Sequence, residues 1–195
     1  MTFHPDRQLA WEVLNKHVKQ ESLLRHALTV EAVMRYFAAY YHEDEEKWAV
    51  IGLLHDIDFE KYPEQHCFKS RGLMEPEGFP EEYIRAVESH GYKLVNDVKP
   101  EHIMEKVLYS TDELTGLIAA TAILRPNKSI LDMQVGSVKK KWKQKGFAAG
   151  VNREVILDGA VMLDMELDEL IAHTIAGMRT VAEEIGLKGN FDGWA

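Results

Sequence analysis

A chain of 195 residues with 46% hydrophobic content suits one domain with a sizeable core, and its net charge of −9 argues against general nucleic-acid binding, which needs a basic surface. The single cysteine, Cys67, cannot close an internal disulfide and fits a reducing compartment. No apolar run approaches the ~20 residues of a membrane span and polar residues follow Met1, so a soluble, cytoplasmic protein is expected.

Helical periodicity runs through nearly every segment, and no alternating strand pattern lies between turn signals, which predicts an all-α fold. A first helix is expected from near Pro5. A longer one over Glu21 to Tyr41 carries Leu23, Ala27, Val30, Met34, Phe37 and Tyr41 at three- and four-residue steps. The acidic residues Glu43 to Glu46 suit the positive end of a helix running to Leu54, with His55 and Asp56 at its C-terminal end. Pro63 and Pro80 predict the starts of two shorter helices, the first carrying His66 and the second running to His90 before Gly91.

A long helix over Glu101 to Leu124 is stopped by Arg125-Pro126. Residues 125 to 145 then gather seven basic side chains (Arg125, Lys128, Lys139, Lys140, Lys141, Lys143 and Lys145) against one acid, Asp132. Only Val138, Trp142 and Lys145 share a helical side there, so the run reads more as a solvated face than as a binding surface. The stretch GFAAG lacks a phosphate-loop pattern and reads as a turn. Helices near Asn152 to Met165 and Asp168 to Ile185 follow, with a stop at Gly186 and the tail KGNFDGWA. No repeat, linker or boundary divides the chain, so 1–195 is expected to be a single domain, with a core over about 20–125 and a C-terminal helical extension over about 126–195.

The chemistry gathers around GLLHDIDFEKYPEQH, residues 52 to 66. Seven apolar or small residues, Trp48 to Leu54, run straight into His55, Asp56 and Asp58, with His66 ten residues beyond Asp56. Burying an unpaired charge costs several kcal/mol, and a bound metal is the first candidate to offset it. His26 shares a helical side with Leu23, Val33 and Phe37, His90 follows Val87 by three, and Asp112 follows Leu108 by four, so these groups also face inward. Each alone reads more readily as a hydrogen-bonded core residue. Together they suit Zn, Mn, Fe, Co or Ni in the core of a helix bundle. His4, His17, His42, His102 and His173 fall at polar or terminal positions and read as surface histidines, and Ser110, Thr111 and Thr115 show no Ser–His arrangement.

The segments LLRHALTV, GLLHDIDFE, ESHGY and STDELTG, spanning about residues 20 to 125, resemble the successive metal-binding segments of the HD-domain superfamily of metal-dependent phosphohydrolases. With DELTG, the stretch RPNKSILDMQVGSVKKKWKQKGFAAGVNRE is similar to a subgroup of uncharacterised predicted HD hydrolases. The resemblance implies a compact helical bundle with His26, His55, Asp56 and Asp112 around a first divalent transition metal. His66 and His90 would hold a second, with Asp56 bridging. Asp56 and His90 are then the catalytic candidates, and a metal-activated water would attack a small phosphorylated metabolite or nucleotide.

A phosphate also needs cations, for which Arg25 beside His26 and Lys93 after His90 are candidates. Both positions fit plainer roles, Arg25 facing solvent and Lys93 at a helix end. Asp58 stands where many members of the superfamily have a glycine, the Gly-Tyr-Pro signature of cyclic-dinucleotide phosphodiesterases is missing, and so is the acidic pair of alarmone hydrolases. Two alternatives remain beside the phosphohydrolase. One is a diiron oxygenase on the same scaffold, as in myo-inositol oxygenase, and the other is a noncatalytic metal-containing ligand-binding protein.

Overall fold

The computed structural model describes residues 5–144 and 146–190. His4, Lys145 and the last five residues of the tail, for which expectations were stated above, lie outside the described residues. Among those described there are nine α-helices: α1 Arg7–His17, α2 Glu21–Tyr41, α3 Glu45–Leu54, α4 Ser70–Met74, α5 Glu81–Ser89, α6 Ile103–Ile123, α7 Val135–Trp142, α8 Arg153–Met162 and α9 Leu167–Arg179. The expected all-α fold is what forms. An isolated bridge between Tyr92 and Asn96 is its nearest approach to a strand among the described residues. No helix among them is long and apolar enough to cross a membrane.

The helices begin where side chains satisfy their free N–H groups. Asp44 accepts from the backbone of Glu46 and Lys47 to open α3. His102 and Glu105 form a capping box at α6, and Asn152 accepts from Glu154 and Val155 at α8. α2 stops where His42 takes the left-handed conformation at φ 58°. α1 is fastened to α2 by Arg7, whose Nε lies 2.5 Å from the carboxylate of buried Glu31.

α2 is the central strut and packs against α3, α6 and α9, while α6 packs against α8. One cluster of buried hydrophobic side chains extends from Ala10 in α1 to Leu187 after α9. Every residue from Trp48 to Leu54 is buried, so α3 is apolar on all sides and enclosed.

Three expected elements differ in form. The helix expected from Pro63 is a single 3₁₀ turn, Pro63–Gln65, and His66 caps it. The chain cannot continue as helix because His66 is extended at ψ 143° and Cys67 is left-handed at φ 65°. α8 ends at Met162 rather than Met165, with left-handed Asp164 turning the chain and the Met165 N–H returning to the Ala160 carbonyl. α9 ends at Arg179, and turns replace the expected helix from there to Gly186.

Gly52 lets α3 approach α2. A Cβ there would lie 2.8 Å from Met34 Cγ and 2.9 Å from the Val30 carbonyl oxygen, which is backbone and cannot swing aside. Gly52→Ala is therefore expected to lower stability by about 1–3 kcal/mol through overpacking, partly offset by alanine's better helix propensity. Urea unfolding monitored by circular dichroism would measure it, and an unchanged or higher midpoint would contradict this account.

Candidate metal centre

Five chain segments converge on one cleft. α2 brings His26 from mid-helix, α6 brings Asp112, and the two helices lie side by side. α3 delivers His55 at its C-terminal cap and Asp56 one residue later, α5 delivers His90 at its cap, and the 3₁₀ turn delivers His66. Two helix C-termini thus face the cleft, and their partial negative charge favours cations there.

The inward atoms form two clusters. In the first, His26 Nε2 lies 2.9 Å from Asp112 Oδ1 and 3.1 Å from His55 Nε2. His55 Nε2 is 3.3 Å from Asp112 Oδ1, and Asp56 Oδ2 closes the group at 3.4 Å from His55 and 3.6 Å from His26. In the second, His66 Nε2 lies 3.1 Å from His90 Nε2, and Asp56 Oδ1 is 3.3 Å from the first and 3.6 Å from the second. Cys67 Sγ lies 3.6 Å from His90 Nε2 and belongs to the same group of potential donors. Asp56 therefore turns one oxygen to each cluster.

These spacings suit metal coordination. Donors bonded about 2.0–2.2 Å from one ion stand about 2.8–3.6 Å apart along the edges of an octahedron or tetrahedron. The second ring nitrogens support the same reading. His55 Nδ1 donates to the Gly52 carbonyl at 2.8 Å, His90 Nδ1 to the Val87 carbonyl, and His66 Nδ1 to Asp58 at 2.8 Å. With Nδ1 carrying a hydrogen, each Nε2 is either a bare lone pair or a second N–H. Two alike 3.1 Å apart repel, so His66 and His90 must share a cation between them, one proton or a metal ion, and the spacing fits both.

Burial opposes charge at His55, Asp56, His66, Cys67, His90 and Asp112, and their neighbours overrule it. Asp56 and Asp112 push His55 up to about 10, and hydrogen bonding to Asp58 is the main influence holding His66 up at about 9. His90 is raised well above the ordinary imidazole value, chiefly by Cys67 and Asp56. Burial pushes the Cys67 thiol up, but the charge on His90 and hydrogen bonds from His66 and His90 bring it down to about 7. Asp56 and Asp112 are held well below the usual carboxylate range, mainly by His55. The centre is a negative well that takes up positive charge as protons, and a metal entering it displaces them.

A cavity of about 230 Å³ opens over both clusters, with Phe59, Leu94, Val95 and Val151 around it. No lysine or arginine lines it among the described residues. Arg25, expected as a phosphate clamp, instead pairs with Glu21 on the outer side of α2. Lys93, expected in the same role, pairs with Asp158 at 2.8 Å and also stays out of the cleft. The basic segment is placed elsewhere too: Arg125 clasps Asp132 at 2.6 Å and Lys139 pairs with Asp168 at 2.7 Å.

Other side chains take roles that their sequence positions hid. Asp58, completely buried, accepts from His66 Nδ1 and from the Lys69 N–H at 3.1 Å, so it orients a candidate ligand from behind. Glu113 lines the cleft beside Asp112, and burial together with the Asp112 charge raises its pKa. His173 is half-buried rather than on the surface: α9 packs on α2, and Tyr36 meets its Nδ1 at 2.9 Å with Tyr40 against the ring. His102, although exposed, serves as the cap of α6.

Residues 23–117 match the family model for the HD domain. This stretch belongs to the HD-domain superfamily. All six expected ligands, from His26 to Asp112, lie within the matched stretch, while α7, α8 and α9 lie beyond it. HD domains bind divalent metals and are typical of metal-dependent phosphohydrolases, which agrees with the donor set here. Searches of curated proteins and of solved structures gave no match.

Asp58→Asn tests the support behind His66 in this HD domain. An amide must turn its NH₂ toward either the His66 Nδ1–H or the Lys69 N–H, so one contact is lost. Metal titration by calorimetry is expected to show about 10–100-fold weaker binding at the second cluster with the first unaffected. Unchanged affinity at both would contradict the role given to Asp58.

Proposed function

We propose that the protein is a metal-dependent phosphohydrolase acting on a small phosphomonoester. His26, His55, Asp56 and Asp112 would hold one divalent ion, and His66 and His90, with Asp56, would hold a second. The observation that carries this reading is the two-sided placement of Asp56, between donor sets spaced for coordination. When bound, such ions supply a water whose pKa falls from 15.7 to about 7 and positive charge for the phosphoryl oxygens.

The protein's own groups do the rest. Hydrogen bonds to Gly52, Asp58 and Val87 keep three imidazoles facing inward, so the donors are oriented before substrate arrives. Glu113 holds a proton more readily than an ordinary carboxyl, and its place in the cleft makes it the group to protonate the leaving oxygen. Charge selects the substrate. With no lysine or arginine lining the cleft among the described residues, a phosphoryl group would meet positive charge only through ions that these residues would hold, which suits a single phosphate. Further phosphates of a nucleoside triphosphate would find no basic side chain among the described residues of the cleft.

One feature favours a second reading, the diiron oxygenase: a cleft with an apolar rim and no basic side chain among the described residues also suits an uncharged substrate. Elemental analysis of the protein purified without chelator, followed by assays of phosphate release and of O₂ uptake, separates the two. Phosphate release supports the hydrolase, whereas iron with O₂-dependent substrate loss supports the oxygenase.

Asp56→Ala is expected to empty both positions of metal and to lower phosphate release from p-nitrophenyl phosphate by at least about a hundredfold, with helix content by circular dichroism retained. Full turnover by a metal-free variant would refute the phosphohydrolase reading.

A further inference from the structure

A second cavity, of about 240 Å³, lies on the seam between α2 and α6, and His26 and Gly116 line both it and the metal cleft. Beyond that shared wall the second cavity is lined by four apolar residues, Ala119 and Ile123 from α6 and Ile185 and Leu187 from the chain after α9, together with Ser22, Thr29 and Thr115. Arg25 also lines it, but its charge is engaged by Glu21. Ile123, at the far end, is 54% exposed. Along α6 the distance from Gly116 to Ile123 is about 10 Å at 1.5 Å per residue.

Gly116 sits in mid-helix, where glycine costs about 1 kcal/mol relative to alanine. Packing does not require it, because an added Cβ would meet only Val151 Cγ2, at an ordinary 3.7 Å. Gly116 thus places no side chain on the wall that the two cavities share. The two cavities therefore adjoin at the edge of the first cluster, where His26 and Gly116 line both.

We propose that this groove holds the apolar body of the substrate, so that the protein acts on a phosphomonoester carrying a single aliphatic chain. The proposal rests on the phosphohydrolase reading for the phosphate end and goes beyond it in naming the substrate class. With the phosphate at the two clusters, the chain passes Gly116 and lies along Ala119 and Ile123 toward Leu187. A nucleoside in the same place would set most of its ring and ribose hydrogen-bonding groups against these apolar side chains, since the Thr29 and Thr115 hydroxyls already donate to the Arg25 and Asp112 carbonyls, and unpaired polar groups are costly to bury. Each buried methylene instead adds about 0.8 kcal/mol.

The test compares methyl phosphate with n-octyl phosphate on the metal-loaded full-length protein. kcat/KM for the octyl ester is expected to be at least about tenfold higher, since several methylenes leave water. Ala119→Phe, which fills the groove away from the clusters, should abolish this preference and leave methyl phosphate turnover unchanged. Ile123→Gln, at an exposed position, should reduce the preference and serves as the second variant if Ala119→Phe fails to fold. Equal kcat/KM for the two esters, or a preference that survives both substitutions, overturns the proposal. If neither ester is hydrolysed, the phosphohydrolase reading fails and calorimetric binding decides the groove on its own. Octyl phosphate binding that the substitutions weaken supports it, and octyl binding no tighter than methyl overturns it.

Discussion

A single carboxylate that must serve two sets of imidazoles sets the terms for the rest of this fold. Asp56 turns Oδ2 toward His26 and His55 and Oδ1 toward His66 and His90, which demands that four helices and a short turn end or pass within a few ångströms of it. α3 must stop at Leu54 so that His55 and Asp56 emerge at its tip. It must also lie close to α2, and Gly52 is the residue that permits this approach. The apolar run from Trp48 to Leu54 encloses α3 and keeps its tip where the packing places it.

Around that carboxylate the protein has concentrated opposite charges where water is scarce. Such a cluster is tolerated only when every member is paired, and the pairing here extends outward in shells. His66 is backed by Asp58, and Asp58 in turn by the Lys69 backbone. His55 and His90 are backed by carbonyls at the ends of their own helices. Lysine and arginine are spent elsewhere on surface pairs, such as Lys93 with Asp158 and Arg71 with Glu81 and Glu88. Positive charge at the cleft comes from the imidazoles and from whatever cation they hold.

What could be read from the sequence follows from how local each feature is. α2 was legible from its apolar period alone, and α3 and α6 from their end signals and composition, because amphipathic stripes and helix punctuation are written in neighbouring residues. His26 and Asp112 came with them, since a residue on an apolar stripe points inward. The turn through His66 and Cys67 did not, because its left-handed residue and single 3₁₀ turn depend on contacts with Asp58 and His90. Asp58 itself looked like an unexplained extra carboxylate until its partner eight residues away came into view. Arg25 and Lys93 illustrate the opposite error. Adjacency in sequence to a ligand is not adjacency in space: Arg25 sits about 100° round the helix from His26, and Lys93 lies past the end of α5, where a left-handed backbone at φ 61° accompanies its pairing with Asp158.

The ligand set also has a topological consequence. His26 and Asp112 lie 86 positions apart along the chain, yet their side chains meet at 2.9 Å. An ion bound between them acts as a removable staple closing a loop of nearly that length, and in chain-entropy terms such a cross-link is worth about 4–5 kcal/mol against the unfolded ensemble. Unlike a disulfide, this staple is set by the free metal concentration of its surroundings. An ion held there would thus add to folding stability as well as to the chemistry of the site, and metal supply would act on both.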